Sequence, residues 1–581
     1  MADGRDQAPA FRFRSAFAWA RIFDCFKVAL DPRKLFVAAV GILAMSIGWY
    51  VLSSLAYYKA PVREADNYSN AVIGKELANS KKPGTNENYA EEDFTRIGQE
   101  RFERDHAQWK ILADLAGPGG RLRTMPWYEY RGPNPFTALT TLIGGSSIER
   151  SNTVREFATG SVPVLVEPLV KLLLPVSKVI SPGVSTQTRF YLLLVIVWSL
   201  AVWAFAGGVI TRMAAIQLAG KGPVKVMDAV KFVSARYFGY LLAPLVPLAI
   251  IAVVVLGLIC YGVLGLIPLF GDVLFLGLGL PVVIGGGAVM AVFLVGLVGY
   301  PLMYTTLSAE GDASDTFDAL SRSINYVYQA PWQYAWYLLV TVLYGAIVTF
   351  FVLFFMSLSV YMGKWAVGLT ASAVYQEQKP DYLFIYAPES FGWKELLLKD
   401  SPYAVKEVDT PKEGGRFAKE YVPAEPEKNA SERAKFYAFN KWGAGLVCFW
   451  LTLFFLMMLG FSYSFFWSAA TMIYFLMRKQ ADEIEMDEVF LEEDAPEVPP
   501  APPKIADGTV PAPSAPATSL PVILTPPVAP PPPPIPLAET PAAPPPPPVQ
   551  PPPPPPVVYS PEPEPPPTLP FEPPAPPTEP K

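Results

Sequence analysis

Six long apolar runs constrain this chain more than anything else in it: residues 35–57, 190–211, 239–269, 273–303, 336–363 and 442–477. A run of about 20 apolar residues is long enough for a helix to cross the hydrocarbon core of a bilayer. The predicted fold class is therefore all-α: a polytopic transmembrane helix bundle of about six spans, with interfacial amphipathic helices and a disordered proline-rich C-terminal tail. Composition supports this reading, because 51% of the 581 residues are hydrophobic and only 17% are charged. A net charge of −6 is no nucleic-acid signature. The chain has three cysteines, Cys25, Cys260 and Cys448, none of them in a polar loop, so no disulfide framework is expected.

Taken in order, residues 1–34 form a basic N-terminal segment with Arg5, Arg12, Arg14, Arg21, Lys27, Arg33 and Lys34. The first span, 35–57, follows. Ser54-Leu55-Ala56 resembles a signal-peptide cleavage site, but the long basic region and the long run favour an uncleaved span. By the positive-inside rule the N-terminus is expected in the cytoplasm. Residues 58–188 then read as an extracytoplasmic loop or domain. Within it, residues 162–180 are apolar, yet hold Glu167, Lys171, Lys178 and three prolines, which predicts a broken helix on the outer leaflet. A seventh crossing there would invert all that follows.

Residues 189–363 are expected to form a four-span membrane domain. The loop 212–238 carries Arg212, Lys221, Lys225, Lys231 and Arg236 against Asp228 alone, a cytoplasmic signal. Gly271-Asp272 predicts a tight turn between the third and fourth spans, and Gly285-Gly286-Gly287 predicts close packing of the two as a hairpin. A second extracytoplasmic loop covers 364–441, in which Asp381–Tyr386 has the pattern of a short strand. The last transmembrane helix, 442–477, is long enough to require tilting, bending near Gly460 or extension beyond the bilayer. Residues 478–495 form an acidic linker opened by Arg478-Lys479.

Residues 496–581 hold 40 of the 65 prolines and are expected to be disordered, with polyproline II character. Such a tail serves either as a spacer or as a docking strip for an aromatic-lined groove.

Three short amphipathic segments precede the first, third and fifth spans: Phe23-Asp24-Cys25-Phe26-Lys27, Met227-Asp228-Ala229-Val230-Lys231 and Phe317-Asp318-Ala319-Leu320-Ser321-Arg322. Read as helix, the last places Phe317, Leu320, Ile324 and Tyr328 on one face. Asp318–Arg322, Asp228–Lys231 and Asp24–Lys27 stand at pairing distance along the helix. These segments read as helices lying in the membrane interface, apolar side toward lipid.

No apolar run has an ionisable side chain in its core, which speaks against an ion-coupled transporter. No Walker A, G-x-S-x-G, H-E-x-x-H or paired C-x-x-C motif occurs. The one histidine, His106, reads as a solvated loop residue. No catalytic, cofactor-binding or metal-binding residues are assigned, no cofactor is expected, and the chain reads as not an enzyme.

Phe317 to Tyr326 followed by Pro331-Trp332, together with Ile473–Arg478 and Asp482, resembles a group of uncharacterised multi-pass membrane proteins of planctomycete-like bacteria. The resemblance runs from the second to the sixth span. It implies a bacterial inner-membrane protein and brings no activity with it. The function expected is a non-enzymatic membrane scaffold or adaptor, with the lipid bilayer and a cytoplasmic polyproline-binding protein as partners. The alternative is a permease-like component whose glycine-rich third and fourth spans line a path for an uncharged or lipid-like substrate.

Overall fold

A computed structural model describes residues 17–491 except 58–67, 78–79, 83–86, 117–123, 130, 148–149, 152–163, 182, 269, 312–314, 376–379 and 410–418. The proline-rich tail, Arg5, Arg12 and Arg14 lie outside the described residues. A 3₁₀ segment, Ala18–Asp24, leads into α1 (Cys25–Ala29) and α2 (Pro32–Ala56). Then come α3 (Asn70–Leu77), α4 (Glu91–Ala116), α5 (Pro135–Gly144), α6 (Glu167–Ile180), α7 (Thr186–Leu218), α8 (Val226–Ala235) and α9 (Tyr237–Gly265). A π-helical segment, Gly271–Leu278, joins α9 to α10 (Leu280–Leu297), followed by α11 (Tyr300–Glu310), α12 (Thr316–Gln329) and α13 (Pro331–Tyr375). The chain continues through α14 (Trp393–Leu398), β1 (Val405–Asp409), β2 (Lys419–Pro423), α15 (Pro426–Ala434) and α16 (Ala438–Ala481). The two strands pair antiparallel. Six helices, α2, α7, α9, α10, α13 and α16, are long and apolar enough to cross a membrane.

α16 is the axis of the bundle. From Phe455 to Arg478 nearly every residue is buried, as expected of a helix that is apolar on all sides. Side chains small enough to let backbones meet set its crossings with α2 and α7. A Cβ on Gly460 would stand 2.9 Å from the Leu35 carbonyl oxygen, and one on Gly207 would stand 2.8 Å from the Trp467 ring. Trp203 of α7 stacks on Tyr463 at 4.6 Å. α16 passes through Gly460 as one helix, so the glycine serves close approach and is not a break.

α9 and α10 pack together as a hairpin, but only Gly286 of the glycine run faces the partner, where a Cβ would come within 2.8 Å of Leu258. Gly285 and Gly287 have nothing within 4 Å. The connection between them is the π-helical segment, not a tight turn at Gly271-Asp272.

The amphipathic helices before the first, third and fifth spans are present as α1, α8 and α12. In α12, Phe317 and Tyr328 are exposed, as a side turned toward lipid requires, but Leu320 of the same stripe is buried with Ala319, Ser323, Tyr326 and Val327 against the neighbouring helices. The Asp318–Arg322 pair forms at 3.0 Å; among the described residues no such pair joins Asp228 to Lys231 or Asp24 to Lys27. Gln329 ends α12, and Pro331 opens α13, where its missing N–H costs nothing.

The fourth span, Leu280–Leu297, lies within the apolar run 273–303, and the end of that run opens α11 (Tyr300–Glu310), in which Leu302 to Ala309 are all buried. One further expectation is corrected. Asp381–Tyr386 is not a strand; Pro380–Phe384 is 3₁₀, because the Asp381 carboxylate turns inward to Lys364 at 2.7 Å.

Replacing Gly460 or Gly207 by leucine should destabilise the bundle by about 1–3 kcal/mol or more through overpacking, whereas Gly285→Leu should stay within about 0.5 kcal/mol of wild type. Thermal unfolding of the purified protein in detergent measures this contrast.

Candidate functional site

Glu129, Arg131, Glu167 and Lys171 meet inside the bundle, although the first two come from the polar loop after α2 and the last two from α6. Arg131 Nε donates to Glu167 Oε2 and Nη2 to Glu167 Oε1, both at 2.8 Å, the parallel geometry that a planar guanidinium offers a carboxylate. Nη2 also donates to Glu129 Oε2 at 2.6 Å, and Nη1 donates to the Pro126 carbonyl and to Ser390 Oγ. All five N–H donors of the guanidinium are thus used. Lys171 Nζ donates to Glu129 Oε2 at 2.6 Å, and the Tyr463 hydroxyl approaches Glu167 Oε1 at 3.4 Å. Two carboxylates face two cations, so the cluster is neutral. This balance is what burial demands, since an unpaired charge away from water is strongly disfavoured.

The cluster lies against Ile42, Met45, Ser46 and Trp49, halfway along α2, and against Tyr191 and Val195 of α7. The residual space among these side chains is about 10 Å³, close to what one water needs. Lys171 Nζ also stands 5.5 Å from the Trp49 ring centroid, and the Arg131 guanidinium 6.0 Å from that of Phe455. Burial alone would push the Glu167 carboxyl up, but Arg131, then Lys171 and Tyr463, outweigh it and hold it below the ordinary value of 4.5. The carboxylates of Glu167 and Glu129 in turn outweigh burial and hold Arg131 firmly charged, above its ordinary value.

The same region draws in the second polar loop. Asn134 Nδ2 donates to the Phe391 carbonyl at 3.0 Å, and Trp393 Nε1 donates to Ser357 Oγ of α13 at 2.9 Å. Phe391 adopts φ 55° and Gly392 φ 62°, a left-handed pair that turns both Phe391 and Trp393 inward. α6 therefore does not lie wholly on a leaflet surface: Glu167 and Pro168 are buried in the bundle, while Leu173 and Ile180 stay exposed. Nor do Glu167 and Lys171 pair with each other. With 14 residues, α6 is shorter than the six helices long and apolar enough to cross a membrane, and residues 162 and 163 lie outside the described residues.

A second buried polar cluster sits at the opposite end, rich in basic residues. Lys34, Arg212 and Arg478 each fall just outside an apolar run in the sequence, yet continue the spanning helices and are buried. Arg212 donates to the Ser308 carbonyl at 2.7 Å and lies 3.8 Å over the Phe232 ring. Ser308 Oγ meets Thr211 Oγ1 at 2.9 Å and the Tyr240 hydroxyl at 2.8 Å. Glu310 accepts from Tyr474 at 2.9 Å and from Arg478 at 3.1 Å, and pairs with Arg322 at 3.3 Å.

Residues 482–490 fold back over this cluster. Tyr326 donates to Asp482, Arg478 donates to the Glu485 and Glu488 carbonyls at 3.0 and 2.7 Å, and the Phe490 N–H donates to the Ala309 carbonyl at 2.8 Å. The start of the acidic linker is thus a strap across α11, α12 and α16.

His106 lies on α4, not in a loop, stacked between Phe102 and Trp109 at 5.2 and 5.7 Å. Among the described residues no group of His, Cys, Asp and Glu is arranged to hold a metal, and the three cysteines are free thiols. The sequence pattern missed Glu129, Arg131 and Glu310. The signal was faint: Glu129-x-Arg131 sits between Pro126-Trp127-Tyr128 and Pro133-Asn134-Pro135, aromatic and rigid for a solvated loop. Glu167 inside an apolar run was the stronger pointer.

No protein-family model, curated protein or solved structure matches the chain.

Arg131→Gln leaves Lys171 as the one cation for two buried carboxylates, with Glu167 unpaired, and should cost about 3–5 kcal/mol, read as a lowered thermal midpoint, with Arg131→Lys only partly restoring it because a point charge cannot replace the fork. Because the Glu167 carboxyl is held low in the folded state, its contribution is complete above the ordinary carboxylate value of 4.5 and is lost as pH falls below it. Thermal midpoints of Glu167→Gln should therefore fall less than those of wild type on going from pH 6 to about pH 3.5.

Proposed function

We propose that this protein is a non-enzymatic scaffold of a bacterial cytoplasmic membrane, with both termini in the cytoplasm, which joins a folded outer face to a partner that grips its proline-rich tail. One observation carries the reading. α16 is a single helix of 44 residues, about 66 Å long at 1.5 Å per residue, twice a hydrocarbon core of about 30 Å. Each of its ends is docked to folded structure. At one end, Ala444 packs with Ile385, Leu398 and Tyr403 of the second polar loop. At the other, Arg478 holds the strap that leads into the tail. α13, with 45 residues, runs alongside it. Such a pair suits mechanical connection of two faces better than passage between them.

The basic end supports the orientation: Lys221, Lys225 and Lys231 follow the second span, and Arg478-Lys479 close the last. The permease-like alternative has weaker support. The third and fourth spans touch through Gly286 and Leu258, while nothing stands within 4 Å of a Cβ on Gly285 or Gly287.

Full-length protein and a version ending at Asp494, isolated from membranes after mild crosslinking, test the proposal. A companion bearing an aromatic-lined polyproline groove should be recovered with the full-length chain alone. Identical companions in both samples, or none, would make the tail a spacer, and a substrate flux abolished by Gly286→Leu in an otherwise stable protein would favour the permease.

A further inference from the structure

At the basic end, beside the first interfacial element, lies an open cleft of about 540 Å³. One wall is made of Arg21 and Asp24 from the 3₁₀ segment, Lys27 and Val28 from α1, and Asp31 at the start of α2. The other is the end of α7 and its loop, Gln217, Leu218, Gly222 and Pro223, with Met472 and Met486 as an apolar floor. The opposite side of the same N-terminal element carries Phe17, Trp19 and Phe23. Trp19 meets Trp336 edge to face at 6.3 Å and Phe23 meets Tyr344 at 4.7 Å, while Phe17 and Phe23 remain exposed. Aromatic side chains so placed at the ends of spanning helices mark the headgroup level of a bilayer, so the cleft opens there.

The charges of the cleft are unequal in what they already have. Asp31 is engaged: it accepts from the Arg33 N–H at 3.0 Å and from Gln217 Nε2 at 2.7 Å, and Gln217 Oε1 takes the buried Lys34 ammonium at 2.6 Å. Arg21 is not so matched, since its guanidinium rests on the Met486 thioether, a weak acceptor. Lys27 has no carboxylate within 4.0 Å among the described residues, and neither have Lys221 and Lys225 nearby, while Arg33 donates to the Val224 carbonyl at 3.1 Å. Arg21 and Lys27 thus stand without a carboxylate partner at a cleft whose floor is apolar. An anion with an apolar continuation matches both features.

We propose that this cleft is a phospholipid site, in which Arg21 and Lys27 take the headgroup phosphate and Val28, Leu218, Met472 and Met486 receive the glycerol backbone and the first methylenes of the acyl chains. The phosphate completes the guanidinium of Arg21 with strong acceptors, as bidentate phosphate recognition requires. Lys34, Gln217 and Asp31 form the wall that keeps α2 and α7 at the spacing the headgroup needs.

The test uses the full chain in detergent and counts retained lipid by native mass spectrometry, with short-chain phosphatidylglycerol as probe and inorganic phosphate as competitor. Lys27→Gln, an exposed position, should weaken retention about fivefold, and Arg21→Gln with Lys27→Gln more than tenfold, since each basic group near an anionic headgroup is worth a factor of about five. Lys231→Gln, on the same end but outside the cleft, should change nothing, and inorganic phosphate should displace the lipid only weakly. Retention at wild-type level in the double variant, with an unchanged thermal midpoint, overturns the proposal. Equal loss in Lys231→Gln would show diffuse attraction in its place, and full displacement by inorganic phosphate would show a site for a free anion.

Discussion

A guanidinium removed from water must have its charge balanced and its five donors met, and in this protein that requirement falls on Arg131. Its acceptors come from Pro126, Glu129, Glu167 and Ser390, so a single side chain gathers both polar loops and α6. Tyr463 and Trp49 bring α16 and α2 to the same point. Removing any one contributor leaves a buried polar group unmet, which is costly enough to make the arrangement all-or-none. The chain segments that look most independent of the membrane bundle are therefore among the most tightly bound to it.

The opposite end repeats the principle with different chemistry. Glu310 on α11 gathers Tyr474, Arg478 and Arg322, and Arg478 Nη2 donates to two backbone carbonyls of the strap. α16 passes through both clusters. Its inner half is buried on all sides, so a displacement at one end has no soft layer in which to dissipate. This continuity underlies the proposed role as a connector between two faces.

The six spans and the amphipathic helices before the first, third and fifth of them were legible in the sequence because they depend on local length and periodicity, whereas of the glycine run only Gly286 makes the expected contact. Leu35 to Tyr57 or Trp442 to Met477 announces a spanning helix whatever surrounds it. The two buried clusters were not legible, for a physical reason. Glu129, Arg131 and Ser390 come from polar stretches whose composition is that of solvated loops, and only their tertiary partners take them out of water. Lys34, Arg212 and Arg478 adjoin apolar runs and read as interface residues, until helix packing extends burial by one more turn. The partly covered face of α12 has the same origin: Phe317 and Tyr328 stay exposed, while packing against neighbouring helices buries Leu320.

The account rests on the polar loops being packed inside the bundle around Arg131, and accessibility at Ser390 tests this most directly. With Cys25, Cys260 and Cys448 replaced by alanine, Ser390→Cys and Glu425→Cys would each be exposed to a water-soluble maleimide in the native protein and after unfolding. Ser390 is fully buried beside the Arg131 guanidinium, and Glu425 is exposed on the same loop. The account predicts rapid labelling at position 425 and none at position 390 until the protein is unfolded. Equal labelling of both in the native protein would show a second loop open to solvent, and would contradict it.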